Sequence, residues 1–168
     1  MKFITFSILI LMIAAVSAFA QTEKQIAAIR ADVNLINKSA SKYDKKTKLV
    51  EGISLEGTEA TYLTSGRGLK KITAKMYGET FRATAELYYS GEELIFAYQR
   101  LQRYDTQIGM KPPPKVVKIL ETRVYYSGAK AIRVIEDKKQ LATSHSEFSA
   151  AESAMNDLSE KLKAAIDQ

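Results

Sequence analysis

The chain has 168 residues, no cysteine, a single histidine, and 25 Lys plus Arg against 19 Asp plus Glu, a formal net charge of +6. Without cysteine, disulfides, thiol catalysis and thiolate metal sites are excluded, and one histidine excludes multi-histidine metal sites within one chain. The excess charge is mild and scattered, because the pairs Lys45-Lys46, Lys70-Lys71 and Lys138-Lys139 are short and interrupted by acids.

Met1–Ala20 carries one early positive charge, Lys2, then an apolar run from Phe3 to Val16, and closes with Ala18-Phe19-Ala20. A small-x-small ending after a short apolar run is the pattern a signal peptidase reads. The expectation is a cleaved signal peptide over 1–20 and a secreted or periplasmic protein; the competing reading is an uncleaved anchor. Residues 21–168 then form a single domain, large enough for a core without disulfides. Export argues against a nucleic-acid partner and, once the leader is removed, against an integral membrane protein. It favours an anionic envelope component or another protein as partner.

Thr22-Glu23-Lys24-Gln25 has the form of a capping box. Ile26, Ile29, Val33 and Ile36 follow at three- and four-residue steps, so a helix is predicted over 22–40. Turn signals and β-formers come next, with eight of the nine tyrosines between Tyr62 and Tyr126. Strands are predicted near 57–64, 69–77, 80–89, 93–104, 116–126 and 131–137. The tetrapeptide YYSG occurs twice, at Tyr88–Gly91 and Tyr125–Gly128, each time as a strand end plus a hairpin corner. Pro112-Pro113-Pro114 places the connection 105–115 outside any ladder. Ser144-His145-Ser146-Glu147 is a second capping box, opening a helix over 144–166. Phe148, Ala151, Met155, Leu158, Leu162 and Ala165 form its apolar stripe, suited to the chain's own sheet or to a homodimer seam. The fold expected is α+β: an antiparallel meander of five or six strands flanked by two helices.

Two-residue turns at Gly78-Glu79 and Ser90-Gly91 would pair Met76 with Phe81, Ala74 with Ala83, Leu87 with Leu94 and Ala85 with Phe96. They place Ile72, Ala74, Met76, Phe81, Ala83, Ala85, Leu87, Leu94, Phe96 and Tyr98 on one apolar face. At the second YYSG a three-residue turn, setting Val124 opposite Ile132, alternates better than a two-residue one. The opposite face would then carry Lys75, Arg82, Tyr88, Ile95, Ala97 and Gln99, with Arg100 at its end. Lys75 would stand across from Arg82, a like-charge pair that an anionic partner relieves, around an apolar centre of Ile95 and Ala97. That surface is the expected binding site.

For catalysis the inventory is thin. His145 falls in a capping position, no carboxylate pair stands out, and Ser65–Lys70 lacks the spacing of a phosphate loop. No cofactor and no catalytic residue is expected. The sequence reads as an exported, non-catalytic binding or envelope-associated protein. The alternative is a carrier of an apolar ligand between sheet and helices, with Ala74, Ala83 and Ala85 leaving room for it; a hydrolytic enzyme comes third.

Overall fold

The computed structural model describes residues 2–66 and 68–166, with side chains from Ala20 onward, again excepting residue 67. The side chains of the expected leader, and Arg67 in the turn at 65–68, lie outside the described residues. Helix α1 (Lys2–Lys38) is followed by β1 (Asp44–Val50), β2 (Thr58–Ser65), β3 (Gly68–Gly78), β4 (Phe81–Ser90), β5 (Glu93–Tyr104), β6 (Val116–Ser127), β7 (Lys130–Glu136) and β8 (Lys139–Gln140); helix α2 (Ser146–Ala164) comes last. The strands form one antiparallel sheet in the order β1 to β8, a pure meander. The α+β class expected from the sequence holds, with eight strands rather than five or six.

The two extra strands are at the edges. β1, DKKTKLV, reads as a charge run, yet it pairs with β2 from Asp44–Thr64 to Val50–Thr58. Lysines on an edge strand blunt the template for further pairing, so such a strand hides in a charge pattern. β8 is a two-residue return after Asp137 and Lys138, both at positive φ.

Each helix crosses the same end of the sheet, on opposite faces. α1 lays Ile26 and Ile29 against Tyr125, with Val33, Phe96, Ile132 and Ile135 packed around them. α2 lays its stripe on the other face: Phe148, Met155, Leu158, Leu162 and Ala165 share a core with Tyr62, Ile72, Leu87, Tyr89, Val124 and Tyr126. The stripe is thus covered by the chain's own sheet. Ala74, Ala83 and Ala85 are part of this same core. Neither capping box forms. Thr22 lies inside continuous α1, and α2 begins with His145 as N-cap and no side-chain cap bond.

The hairpin registers depart from expectation in an instructive way. The β3–β4 turn is Glu79-Thr80, pairing Gly78 with Phe81, Met76 with Ala83 and Ile72 with Leu87. This differs by two residues from the expected register, so the faces of β3 and β4 come out as read. Gly78 is a strand residue rather than a turn residue: a Cβ there would overlap the Phe81 ring. At the first YYSG the turn is Gly91-Glu92, and the register shifts between Tyr88 and Tyr89, leaving Ile95 as an extra residue in β5. That bulge reverses the alternation beyond it. Ala97 therefore joins the α2-side core, while Phe96 turns to α1 and packs with Tyr88 and Tyr125. The second YYSG repeats the device, with turn Gly128-Ala129, a shift between Tyr125 and Tyr126, and Ile132 as the extra residue. Gly91 and Gly128 both have φ +62, as the first central position of a type II′ turn requires.

Candidate binding cleft at the hairpin corners

On the α1 side, four strands contribute one row of paired residues. Tyr88 pairs with Phe96, Phe96 with Tyr125, and Tyr125 with Arg133. The three rings are in contact, tilted against one another, at centroid separations of 5.8 and 4.8 Å. α1 is bonded along this row: Tyr88 donates to Asn37 Oδ1 at 3.1 Å, Arg30 Nε donates to the Tyr125 hydroxyl at 3.4 Å, and Arg133 is paired with Glu23. The row is a docking track for the chain's own helix.

On the α2 side, alternate strands present three buried tyrosines to the helix. Tyr62 on β2 donates to the Leu162 carbonyl at 3.0 Å, and the Tyr89 hydroxyl on β4 meets Ser159 Oγ at 2.8 Å. Tyr126 on β6, only 2 % exposed, occupies the third such place, and its buried hydroxyl has no hydrogen-bond partner among the described residues. The nearby carboxylate of Glu152 accepts instead from the Ala131 N–H at 2.7 Å. Burial raises the pKa of Tyr126, with the Glu152 charge adding to it, so the group stays a neutral hydroxyl.

Tyr126 lines a cleft of about 350 Å³ between the two YYSG corners and α2. Leu94, Gly128 and Ala129 supply apolar surface, and Glu92, Glu93, Asn156 and Glu160 bring polar groups. Lys163 lies beside it, 3.6 Å from Glu160 Oε1 and 3.5 Å from the Glu92 carbonyl. The cleft combines an apolar lining, acidic side chains and one unused buried hydroxyl. Its volume lies at the small end of ligand pockets. Among the described residues, no group of three or more His, Cys, Asp or Glu side chains could hold a metal ion. His145 sits at the α2 N-cap, 3.8 Å from Glu147 and exposed.

The surface expected from the sequence is not assembled. Lys75, Arg82 and Arg100 share the face opposite the α2 core, but Tyr88 is buried beneath α1 on that face. Ile95 is the bulge residue, beside a groove with Leu35, Ile36 and Tyr43. Ala97 is fully buried on the other side, and Gln99 lines a groove with Met155 and Leu158 there. The like-charge contact is absent as well. Lys75 pairs with Thr84 across the ladder and bonds Glu59 at 2.8 Å. Arg82 pairs with Tyr77, covers its ring at 5.0 Å, and bonds Glu56 at 3.1 Å. Each cation has its own carboxylate, so no anion is required to separate them.

Sequence reasoning missed the cleft because it is made by α2 crossing two corners far apart in the chain. The usable signal was the doubled tyrosine itself. Two adjacent large residues on a strand point to opposite faces, so burying both requires a cover on each side. Comparison with known protein families, curated proteins and solved structures returned no match, so the site is read from its own geometry.

Proposed function

We propose that the protein is an exported, non-catalytic binding protein that holds a small amphipathic amine in the cleft between the YYSG corners and α2. Export rests on the leader-like pattern of residues 1–20. The observation that carries the binding site is the Tyr126 hydroxyl. A buried hydroxyl left unpaired costs about 1–3 kcal/mol; the Tyr126 hydroxyl is sealed from solvent, so a ligand in the cleft offsets that cost by displacing the wall over it and supplying the missing partner. The hydroxyl accepts from an ammonium N–H or donates to a ligand oxygen. Leu94 and Ala129 then meet an apolar body, while Glu92 and Glu93, with Glu160 shared with Lys163, leave the rim negative on balance and favour a positive head over a negative one.

The test is a thermal-shift titration with a series of primary alkylamines and the matching alkyl carboxylates, alongside mass spectrometry of anything that copurifies. Amines should raise the melting temperature and carboxylates should not. The shift should shrink in both Tyr126→Phe and Glu160→Gln. Equal responses to the two series, or an undiminished amine shift in both variants, would overturn the reading.

A further inference from the structure

The end of the sheet that neither helix covers carries a different kind of surface. The far end of the β5–β6 hairpin, with its connection 105–115, forms an arm held on one side by β4, which pairs with β5 as far as Arg103, and by the β3–β4 turn, where the Ile108 N–H donates to the Glu79 carbonyl at 2.7 Å; on the other side β7 pairs with β6 only from Thr122 onward. One edge of β6 before Glu121 is therefore without a strand partner among the described residues. On this arm Val117 is 64 % exposed, Met110 56 %, Ile119 45 % and Val116 43 %. Apolar side chains at that density are more than the scattered surface residues every protein shows. Four exposed cations, Arg103, Lys111, Lys115 and Lys118, flank them, Arg103 and Lys118 as a cross-strand pair on the sheet face opposite Ile119, so that the two classes meet along the open edge of β6; within 103–119 the single carboxylate is Asp105. None of the four forms an ion pair among the described residues. Asp105 is already engaged, accepting from the Lys115 N–H at 2.8 Å.

We infer that this arm is a membrane-surface contact, seating the protein on an anionic phospholipid bilayer through Val116, Val117, Ile119 and the surrounding lysines. The two residue classes together select the occupant. Cations alone would suit any polyanion, but exposed valine and isoleucine gain little from a hydrated polymer and partition readily into the headgroup boundary. A second copy pairing along the free edge of β6 would bring Lys115 and Lys118 close to their own counterparts, a repulsion of the kind that keeps edge strands apart. The cleft lies at the opposite end of the strands, so a protein attached in this way presents its cleft away from the bilayer. This inference rests on the arm alone and does not depend on what fills the cleft.

The experiment is vesicle co-sedimentation of the full chain and its variants. Phosphatidylcholine vesicles are compared with vesicles containing about 30 % phosphatidylglycerol, a composition that creates the negative surface potential the lysines would sense. The apolar N-terminal segment is common to every variant, so the readout is the gain on adding phosphatidylglycerol and its loss on mutation. The wild type should bind the anionic vesicles more tightly, with the gain shrinking at high salt. Lys115→Glu with Lys118→Glu should cut that gain at least about tenfold. Val117→Ser with Ile119→Ser should weaken anionic binding at both salt levels while circular dichroism stays unchanged. Three outcomes would overturn the inference: no phosphatidylglycerol-dependent gain, a gain untouched by both double variants, or retention by a soluble polyanion without vesicle binding. Dimerisation abolished by the serine variant, in place of vesicle binding, would assign the arm to a second copy instead.

Discussion

The two YYSG corners share a backbone and differ in what their side chains complete. Tyr88, Tyr89, Gly91, Ile95 and Phe96 of the first correspond to Tyr125, Tyr126, Gly128, Ile132 and Arg133 of the second, with the same turn, bulge and glycine φ. Beneath α2 the first corner is closed, with Tyr89 bonded to Ser159, while the second leaves Tyr126 unpaired beside a cleft. Beneath α1 the first corner ends in a ring, Phe96, tilted against its aromatic neighbours, and the second in a buried guanidinium, Arg133, whose Nε has no partner among the described residues. A repeated backbone thus supplies one structural corner and one with chemistry to spare.

The largest expected effect comes from the residue that joins the corners. Phe96 contacts the rings of both Tyr88 and Tyr125 under α1. Phe96→Ala should cost about 2–3 kcal/mol, below the full-core range because the ring is half-buried. Arg133→Ala should cost less. Urea titrations of the two variants check the order, and the reverse order would mean that the ionic corner, not the aromatic one, anchors α1.

The next effect should be the same at both corners. Neither turn glycine has an atom within 4 Å of where a Cβ would sit, and both lie at φ +62. Gly91→Ala and Gly128→Ala should therefore each cost about 1–2 kcal/mol, purely from the left-handed backbone. A clear inequality would show that the corners differ in backbone as well as side chains.

How far the sequence reaches is visible in these same residues. Both helical stripes were readable because a period of 3.6 admits one buried face; Ile26, Ile29, Phe148, Met155, Leu158 and Leu162 are all buried as their spacing implies. The faces of β3 and β4 survived a misplaced turn because a two-residue error conserves alternation. β5 did not, because an inserted Ile95 leaves no mark in an apolar run that alternation could detect. The expected surface failed with it, since Ala97 and Gln99 depend on that one residue. The spacing reads the first glycine as the second residue of a two-residue loop and prefers a three-residue loop at the second corner, with Val124 opposite Ile132; both loops have two residues with glycine first, as a type II′ turn needs, and Val124 pairs with Val134. The cleft needed the path of α2, which no local pattern encodes.

A smaller effect with opposite signs separates the two buried hydroxyls. Tyr89→Phe loses a hydrogen bond and strands Ser159, so stability should fall by about 1 kcal/mol. Tyr126→Phe removes an unpaired buried hydroxyl and should raise the stability of ligand-free protein by about 1 kcal/mol. Thermal melts of both variants settle the contrast. A destabilised Tyr126→Phe would mean that the hydroxyl has a partner and that the cleft is not the open corner.

The smallest effect is a difference between the corners in acid, which should appear at the second and not at the first. The Arg133 guanidinium bonded to Glu23, helped by its own charge and that of Arg30, holds the Glu23 carboxyl below its ordinary value of 4.5. A carboxylate depressed in the folded state stabilises the fold above its unfolded pKa, and that contribution is lost as pH falls through the folded one. Glu23→Gln should therefore be less stable than wild type at neutral pH, and the gap should close as the pH drops below 4.5. Glu121 and Glu147 are also held low, by Arg123 and by a backbone N–H respectively, so wild type alone would lose stability in acid for several reasons. Taking the difference between wild type and Glu23→Gln cancels those contributions. Phe96→Leu at the matching place in the first corner provides the reference, since its cost has no titrating group in it and should not change over the same range. A Glu23→Gln gap that persists unchanged in acid would show that the ion pair contributes packing rather than charge, and the two corners would then differ in chemistry on the α2 side alone.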